Sequence, residues 1–300
     1  MYDIIIVGAG PAGLTAAIYG NRAHKKVLVL EAEAYGGQII TTSNIENYPA
    51  CPNISGYDFA TTLYNQVKDL GAEVKFEKAI DIKDCKDYKE VITTKKTYQA
   101  KAVILATGSD NRKLGIPKED EFVGKGISYC ATCDGNFFKN KVVAVIGGGN
   151  TALQEALYLT DVAKTVYLIH RRDEFRAESA LVRKLKKKDN INFIYNSNVT
   201  KLNGKTKLES IEITNTDNEV QTIKLSGLFV AVGRIPENQN FSKLIQLDEN
   251  GYALASENCH TNVEGIFVAG DNRVKLVRQL VTAEADGAVA ALEAVKYLNK

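Results

Sequence analysis

Short unbroken apolar runs alternate along the chain with longer segments whose apolar residues recur every three or four positions. Residues 3–7 (DIIIV), 27–30 (VLVL), 103–106 (VILA), 142–146 (VVAVI), 166–169 (VYLI), 228–232 (LFVAV) and 266–269 (IFVA) are such runs. Runs of this kind, without polar alternation, predict strands covered on both faces, as in a parallel sheet flanked by helices. The segments LTAAIYGNRA (14–23) and TALQEALYLT (151–160) follow two of them. In the second, Ala152, Leu153, Ala156, Leu157 and Leu159 form the apolar stripe of a helix lying on a sheet. The predicted class is α/β.

Glycines fill the turns between these strands and helices. Gly8-Ala9-Gly10-Pro11-Ala12-Gly13 follows the first strand, and Gly147-Gly148-Gly149-Asn150-Thr151-Ala152 follows the run at 142–146. In a strand–turn–helix of this kind the first glycine permits the tight turn, and the second lets the backbone approach a pyrophosphate. The third position lets helix and strand pack closely, and the amides at the helix start face the anion. The two copies stand in register. Gly8 and Gly147, Gly10 and Gly149, Gly13 and Ala152, and Glu31 and His170 are each 139 residues apart. One GxGxxG is weak evidence; two in register, each in its strand–helix–strand frame, predict two Rossmann-like dinucleotide-binding domains. Val103–Gly108 and Leu228–Gly233, both apolar strands ending in small-x-Gly, echo one another and bring Thr107 and Gly108 near the first site.

The residue ending the second strand of each unit separates the ligands. Glu31 suits ribose hydroxyls and repels a 2′-phosphate. His170, with Arg171, Arg172 and Arg176, offers charge-assisted bonds to a phosphate and favours NADPH over NADH. A solvated basic turn is the plainer reading of His-Arg-Arg, and its register at the strand end favours the phosphate.

Between the two fingerprints lies Cys130-Ala131-Thr132-Cys133-Asp134. Alone, the pair fits a redox dithiol, half of a zinc site or two structural thiols. Zinc needs about two more ligands, whereas Cys51, Cys85 and Cys259 are scattered, and no metal is expected. Asp134 is placed to move a proton beside a thiol–disulfide exchange. Five cysteines in 300 residues argue against a structural disulfide framework and for a reducing cytoplasm. A first strand from Asp3 leaves no room for a signal peptide, and no apolar run nears a membrane span. A net charge of +2 with no aromatic–basic stripe gives no reason to expect nucleic acid or a membrane surface as a partner. The run Arg183–Lys188 reads as a solvated helix face.

Taken together, GAGPAG (8–13), GGQ (36–38), IENYP (45–49), ATG (106–108), SYCATCDG (128–135), GGGNTA (147–152), HRRDEFRA (170–177), GD (270–271) and RQLVTAEADGAVAA (278–291) resemble the low-molecular-weight, bacterial-type thioredoxin reductases almost end to end. The resemblance implies an NADPH domain inserted into an FAD domain. Residues 1–110 begin the FAD domain, 111–243 form the NADPH domain with the CxxC, and 244–300 complete the FAD domain, with 113–117 and 234–238 as connections. It implies electrons passing from NADPH to FAD, to Cys130–Cys133, and to thioredoxin or a thioredoxin-like protein. Cys133 then faces the flavin, Cys130 attacks the partner, and Asp134 is the acid–base group. It carries FAD binding over to Gly36, Gly37, Gln38, Asn47, Asp271, Arg278 and Gln279, and it implies a homodimer. Two departures stand out: Ala50 where the family often has Gly, and Gln154 before Glu155 where acidic pairs are common. A ferredoxin-fed reductase, a dithiol oxidase and a non-catalytic flavin sensor share the fold; His170-Arg171-Arg172 argues against the first.

Overall fold

The computed structural model describes residues 1–42, 44–51 and 53–300. The chain forms two compact units, Met1–Asp110 with Ile235–Lys300, and Asn111–Arg234. The first opens with β1 (Tyr2–Val7), α1 (Pro11–Arg22), β2 (Val27–Glu31), α2 (Gly56–Asp69) and β3 (Glu73–Phe76). It continues through β4 (Ala79–Asp84), β5 (Lys89–Thr93) and β6 (Thr97–Leu105). The apolar runs explain the sheet. Ile4, Ile5 and Ile6 of β1 are fully buried, as are Leu28 and Val29 of β2 and Val103 and Ile104 of β6, so these strands lie inside, with helices on the faces. The order is β3-β2-β1-β6-β5-β4, with β1 paired in parallel to both β2 and β6 and the last two strands antiparallel. Leu14 of α1 has no exposed surface; burying a leucine side chain contributes about 2 kcal/mol.

The chain leaves by β7 (Ser109–Asn111) and enters the second unit through α3 (Glu119–Phe122), β8 (Ile127–Ser128) and α4 (Ala131–Asp134). There follow β9 (Val142–Ile146), α5 (Asn150–Thr160), β10 (Thr165–Ile169), α6 (Ser179–Leu185) and β11 (Ile191–Ile194). An antiparallel trio, β12 (Ser197–Asn203), β13 (Ser210–Asn215) and β14 (Val220–Lys224), precedes β15 (Gly227–Val230). The second sheet runs β11-β10-β9-β15-β8, all parallel. Its first four strands repeat β3-β2-β1-β6 position for position, the duplication expected from the 139-residue offset.

The return runs through β16 (Arg234–Pro236), which pairs with β7, to β17 (Ile266–Val268) beside β6 and the terminal helix α7 (Leu280–Leu298). It falls earlier than the sequence boundary at 243: residues 235–243 pack with the first unit. Phe241 and Ile245 lie in that unit's core. Buried Asn238 donates to the carbonyls of Gly251 at 2.9 Å and Asn272 at 2.7 Å. The stretch 234–238, read as a connection, is thus held at Asn238 by hydrogen bonds to segments that follow it. No helix among the described residues is long and apolar enough to cross a membrane.

Candidate active site

The first fingerprint is shaped by backbone approach. Gly8 has φ +108°, and a Cβ there would lie 2.3 Å from the Ala106 carbonyl oxygen. One on Gly13 would lie 1.9 Å from Gly8 O. Gly10 differs: its Cβ would meet nothing nearer than Gly37 Cα at 3.9 Å, so this side of the turn stays open. Gly10 also precedes α1, with Pro11 in the first turn, no side-chain cap and no acidic residue there. Uncapped N–H groups at a helix start, on an open glycine face, are the donor set that a pyrophosphate needs. Gly36 N–H donates to Ala9 O at 2.8 Å and brings Gly37 and Gln38 to the same turn. Glu31 accepts from Ala9 N–H at 2.7 Å and Glu33 N–H at 3.0 Å. A carboxylate with about four lone-pair sites keeps capacity for ribose hydroxyls.

The remaining expected residues gather around this turn from distant sequence. Gln38 donates to Ser109 O at 2.7 Å and Asp110 Oδ1 at 2.9 Å. Asn47 Nδ2 donates to Gln279 Oε1 at 3.1 Å. Thr107 Oγ1 accepts from Asn272 Nδ2 at 2.9 Å, and Gly108 turns with φ +72°. Arg278 Nε donates to Asp271 O at 3.4 Å, with its guanidinium 4.1 Å from the Tyr252 ring centre. A Cβ on Gly270 would lie 2.9 Å from Ala12 Cβ, which ties the Asp271 turn to α1.

Sequence reading missed what holds this turn. Asp286 on α7 accepts from Gly270 N–H at 3.0 Å, Arg273 at 2.7 and 2.8 Å, and Lys275 at 2.8 Å, and all three side chains are buried. Burial pushes the Asp286 carboxyl up, but bonds from Arg273 and Lys275 outweigh it and hold the group below its usual range. Ala50 explains one departure: its φ of +64° lies in the left-handed region that favours glycine.

The second fingerprint repeats the first. A Cβ on Gly147 would lie 2.4 Å from Ala231 O, as one on Gly8 meets Ala106 O. A Cβ on Gly149 would meet nothing within 4 Å, and α5 begins beyond it uncapped and without acidic residues in its first turn. Asn150 and Thr151 are exposed at this start; Asn150 Oδ1 accepts from Glu178 N–H at 2.8 Å. Arg176 N–H donates to Gly148 O at 2.8 Å, which brings Arg171, Arg172 and Arg176 to the fingerprint's edge. Among the described residues none of these three guanidinium groups has a carboxylate partner. His170 turns inward. It is 7% exposed, stacks on Phe175 at 5.4 Å, and lies where a Cβ on Gly148 would come within 2.1 Å of its ring. Burial lowers its basicity and the three arginines act in the same direction.

Cys130 and Cys133 are joined as a disulfide, both half-buried, with Cys130 as the residue before α4. The two sulfurs hold each other. Ser128, buried at the end of β8, donates to Asp134 Oδ2 at 2.7 Å and accepts from Cys130 N–H at 3.1 Å. Burial pushes the Asp134 carboxyl up, and the Ser128 bond pulls it partly back. A second carboxyl was not singled out. Glu155 on α5 is pushed up to about 7 by burial, against a hydrogen bond from the Ala131 N–H and the charge of Arg234. The sequence shows it only as a charged residue between Leu153 and Ala156, a pattern that names no partner.

The family model for pyridine nucleotide-disulphide oxidoreductases matches residues 2–287. The chain belongs to that family. It is 44% identical over 296 residues to a thioredoxin reductase from Mycoplasma genitalium, covering 98% of this chain and 94% of that one. The crystal structure of a thioredoxin reductase from Streptococcus pyogenes matches with a TM-score of 0.94 at 39% identity, covering 100% and 98% of the two chains. That of Lactococcus lactis thioredoxin reductase, in the FR conformation, matches with 0.71 at 41% identity, covering 100% and 99%. The likeness read from the motifs therefore holds along the whole chain. The protein is an oxidoreductase of this family, with FAD and NADPH as its cofactors.

Proposed function

We propose that this protein reduces the disulfide of thioredoxin or a thioredoxin-like protein, with electrons from NADPH passed through FAD to Cys130–Cys133. The observation that carries the reading is the disulfide itself, set between β8 and the second fingerprint with Asp134 hydrogen-bonded beside it. When bound, NADPH supplies a hydride and FAD turns it into an electron pair that a disulfide can accept.

The chain's own groups do the rest. Gly8, Gly10, Pro11, Ala12 and Gly13 present α1's amides to the FAD pyrophosphate, and Glu31 accepts from its ribose. Gly36, Gly37, Gln38, Asn47, Thr107, Gly108, Asp271, Arg278 and Gln279 enclose the remainder. Gly147, Gly149, Asn150 and Thr151 receive the NADPH phosphates, and Arg171, Arg172 and Arg176 the 2′-phosphate. His170, facing inward, supports Gly148 from below and leaves that contact to the arginines. Cys133 is the sulfur that would face the flavin and take up the electron pair, Cys130 attacks the partner's disulfide, and Asp134 supplies the proton to the departing thiolate. The inserted unit is residues 111–234, and it binds NADPH. A pair closed against flavin cannot also meet a bulky partner, so the inserted unit rotates between half-reactions. The protein works in the cytoplasm as a homodimer.

Anaerobic titration tests this. Stoichiometric NADPH bleaches the flavin absorbance, and Cys130→Ser keeps that bleaching while abolishing thioredoxin reduction. Turnover retained by Cys130→Ser rejects the relay, and a disulfide clamp between the units that leaves turnover unchanged rejects rotation.

A further inference from the structure

Glu155 stands apart from every group used above. It lies on the face of α5 that packs on α4, one turn before Tyr158 and Leu159 where they meet Gly135, and the Ala131 amide is close enough to act on its carboxyl. That amide follows Cys130 directly, so covalent geometry places the carboxyl within roughly 8 Å of the Cys130 sulfur. Its Oε2 is buried and has no hydrogen-bond partner in the oxidised protein. Leaving a carboxylate oxygen buried and unbonded is costly, so the group is poised to take a proton.

Its surroundings isolate the coupling. The helix α5 packs on α4, α6, β9 and β10. The strands offer it apolar side chains, Val143, Val145, Val166 and Leu168. Arg183 and Lys184 lie in the last turn of α6 and do not act on Glu155. One turn further along α5, Tyr158 lies against Gly135. Arg234, on the return strand, is the one charge among the described residues that acts on the group. What remains is α4 with the two cysteines and Asp134, and Asp134 is bonded to Ser128.

We propose that Glu155 is a positioning residue for the Cys130–Cys133 couple, which orients the Ala131 amide and titrates together with the thiols as one coupled system. This rests on the pair being the redox couple. Two electrons and two protons convert the disulfide into two thiols, the electrons coming from the nicotinamide and flavin of the family's chemistry. When one thiol ionises, the proton it releases is taken by Glu155. Thiolate with carboxylic acid then replaces thiol with carboxylate, and the net charge around α4 stays constant. Two groups coupled in this way lose their protons in two macroscopic steps.

The test uses the FAD-bound protein reduced with a phosphine. Iodoacetamide alkylation of the 130–133 pair is followed by peptide mass from about pH 5.5 to about pH 9. Wild type gives a two-step profile. Glu155→Gln keeps an acceptor for Ala131 N–H, and its profile is a single step with the midpoint lower by about one pH unit. Glu155→Asp keeps two steps. A Glu155→Gln profile superimposed on wild type overturns the proposal. So does a second step that survives in Glu155→Gln but vanishes in Asp134→Asn. Alkylation of the pair without any prior reduction shows instead that the redox reading itself is wrong.

Discussion

Ser128 Oγ donates to Asp134 Oδ2 at 2.7 Å while accepting the N–H of Cys130 at 3.1 Å, so one hydroxyl aims the acid and fixes the backbone of the disulfide. The bond also holds down the pKa of Asp134, which burial drives upward. Ser128→Ala removes both effects. The thioredoxin-reduction rate falls about tenfold, and Asp134→Ala costs about a hundredfold. In Ser128→Ala the Asp134 carboxyl rises further, so the alkaline limb of the pH–rate profile moves upward. A profile unchanged in position shows that Asp134 is not the acid it reports.

The matched glycines separate the two cofactor sites. Gly8→Ala sets a Cβ against Ala106 O at 2.3 Å with φ +108°, and the purified protein loses its flavin absorbance. Gly147→Ala makes the same clash with Ala231 O at 2.4 Å. That variant keeps its flavin but is no longer bleached by NADPH. Absorbance spectra before and after NADPH addition check both.

The guanidinium groups proposed to hold the 2′-phosphate have no carboxylate partner among the described residues. Replacing Arg171, Arg172 or Arg176 with Ala raises KM for NADPH by about tenfold or more each, as loss of a charge-assisted bond does, and leaves KM for NADH unchanged. Steady-state kinetics with both nucleotides decide it. A parallel loss with NADH moves the residue from the 2′-phosphate to the shared part of the nucleotide.

Glu155 also leaves a mark on stability. Burial pushes its carboxyl pKa up to about 7 in the folded protein, above the ordinary 4.5, so folding favours the protonated form. That contribution is fully present below about pH 4.5 and is lost as pH rises through about 7, a swing on the order of 3 kcal/mol. Glu155→Gln does not titrate. The gain in its thermal midpoint over wild type is therefore larger at about pH 8 than at about pH 5. Equal shifts at both place the carboxyl in contact with solvent.

Ala50 occupies left-handed backbone with φ +64°. Ala50→Gly relieves a strain of about 1 kcal/mol and raises the thermal midpoint by a few degrees, in a melt that leaves flavin binding unaltered.

The elements that read most directly from sequence are those where one physical requirement dominates. Buried parallel strands must be apolar throughout, and a phosphate turn must lack side chains, so β1, β2, β9, β10 and both fingerprints were visible. Asn238, Asp286 and Glu155 were not. Each is a polar residue whose neighbours lie far along the chain: Gly251 and Asn272 bond Asn238, the Gly270 amide bonds Asp286, and Ala131 acts on Glu155. Local pattern reads such residues as loop or surface, and only the folded path supplies the partner. His170 shows the converse. It comes at the end of β10 as the register predicts, yet its ring packs inward against Gly148, where a Cβ would leave it no room.

The ribbon of β7 and β16 also bears on how the protein can be taken apart. Arg112 N–H donates to Gly233 O at 3.0 Å on one side of the crossing, and Glu237 N–H to Gly108 O at 3.1 Å on the other. The inserted segment therefore begins and ends on adjacent strands, the way a cassette is spliced into a host. Asp110 and Ile235 can be rejoined by a short turn, and residues 111–234 can be expressed with neighbouring termini, which makes each half a separable module for exchange between relatives.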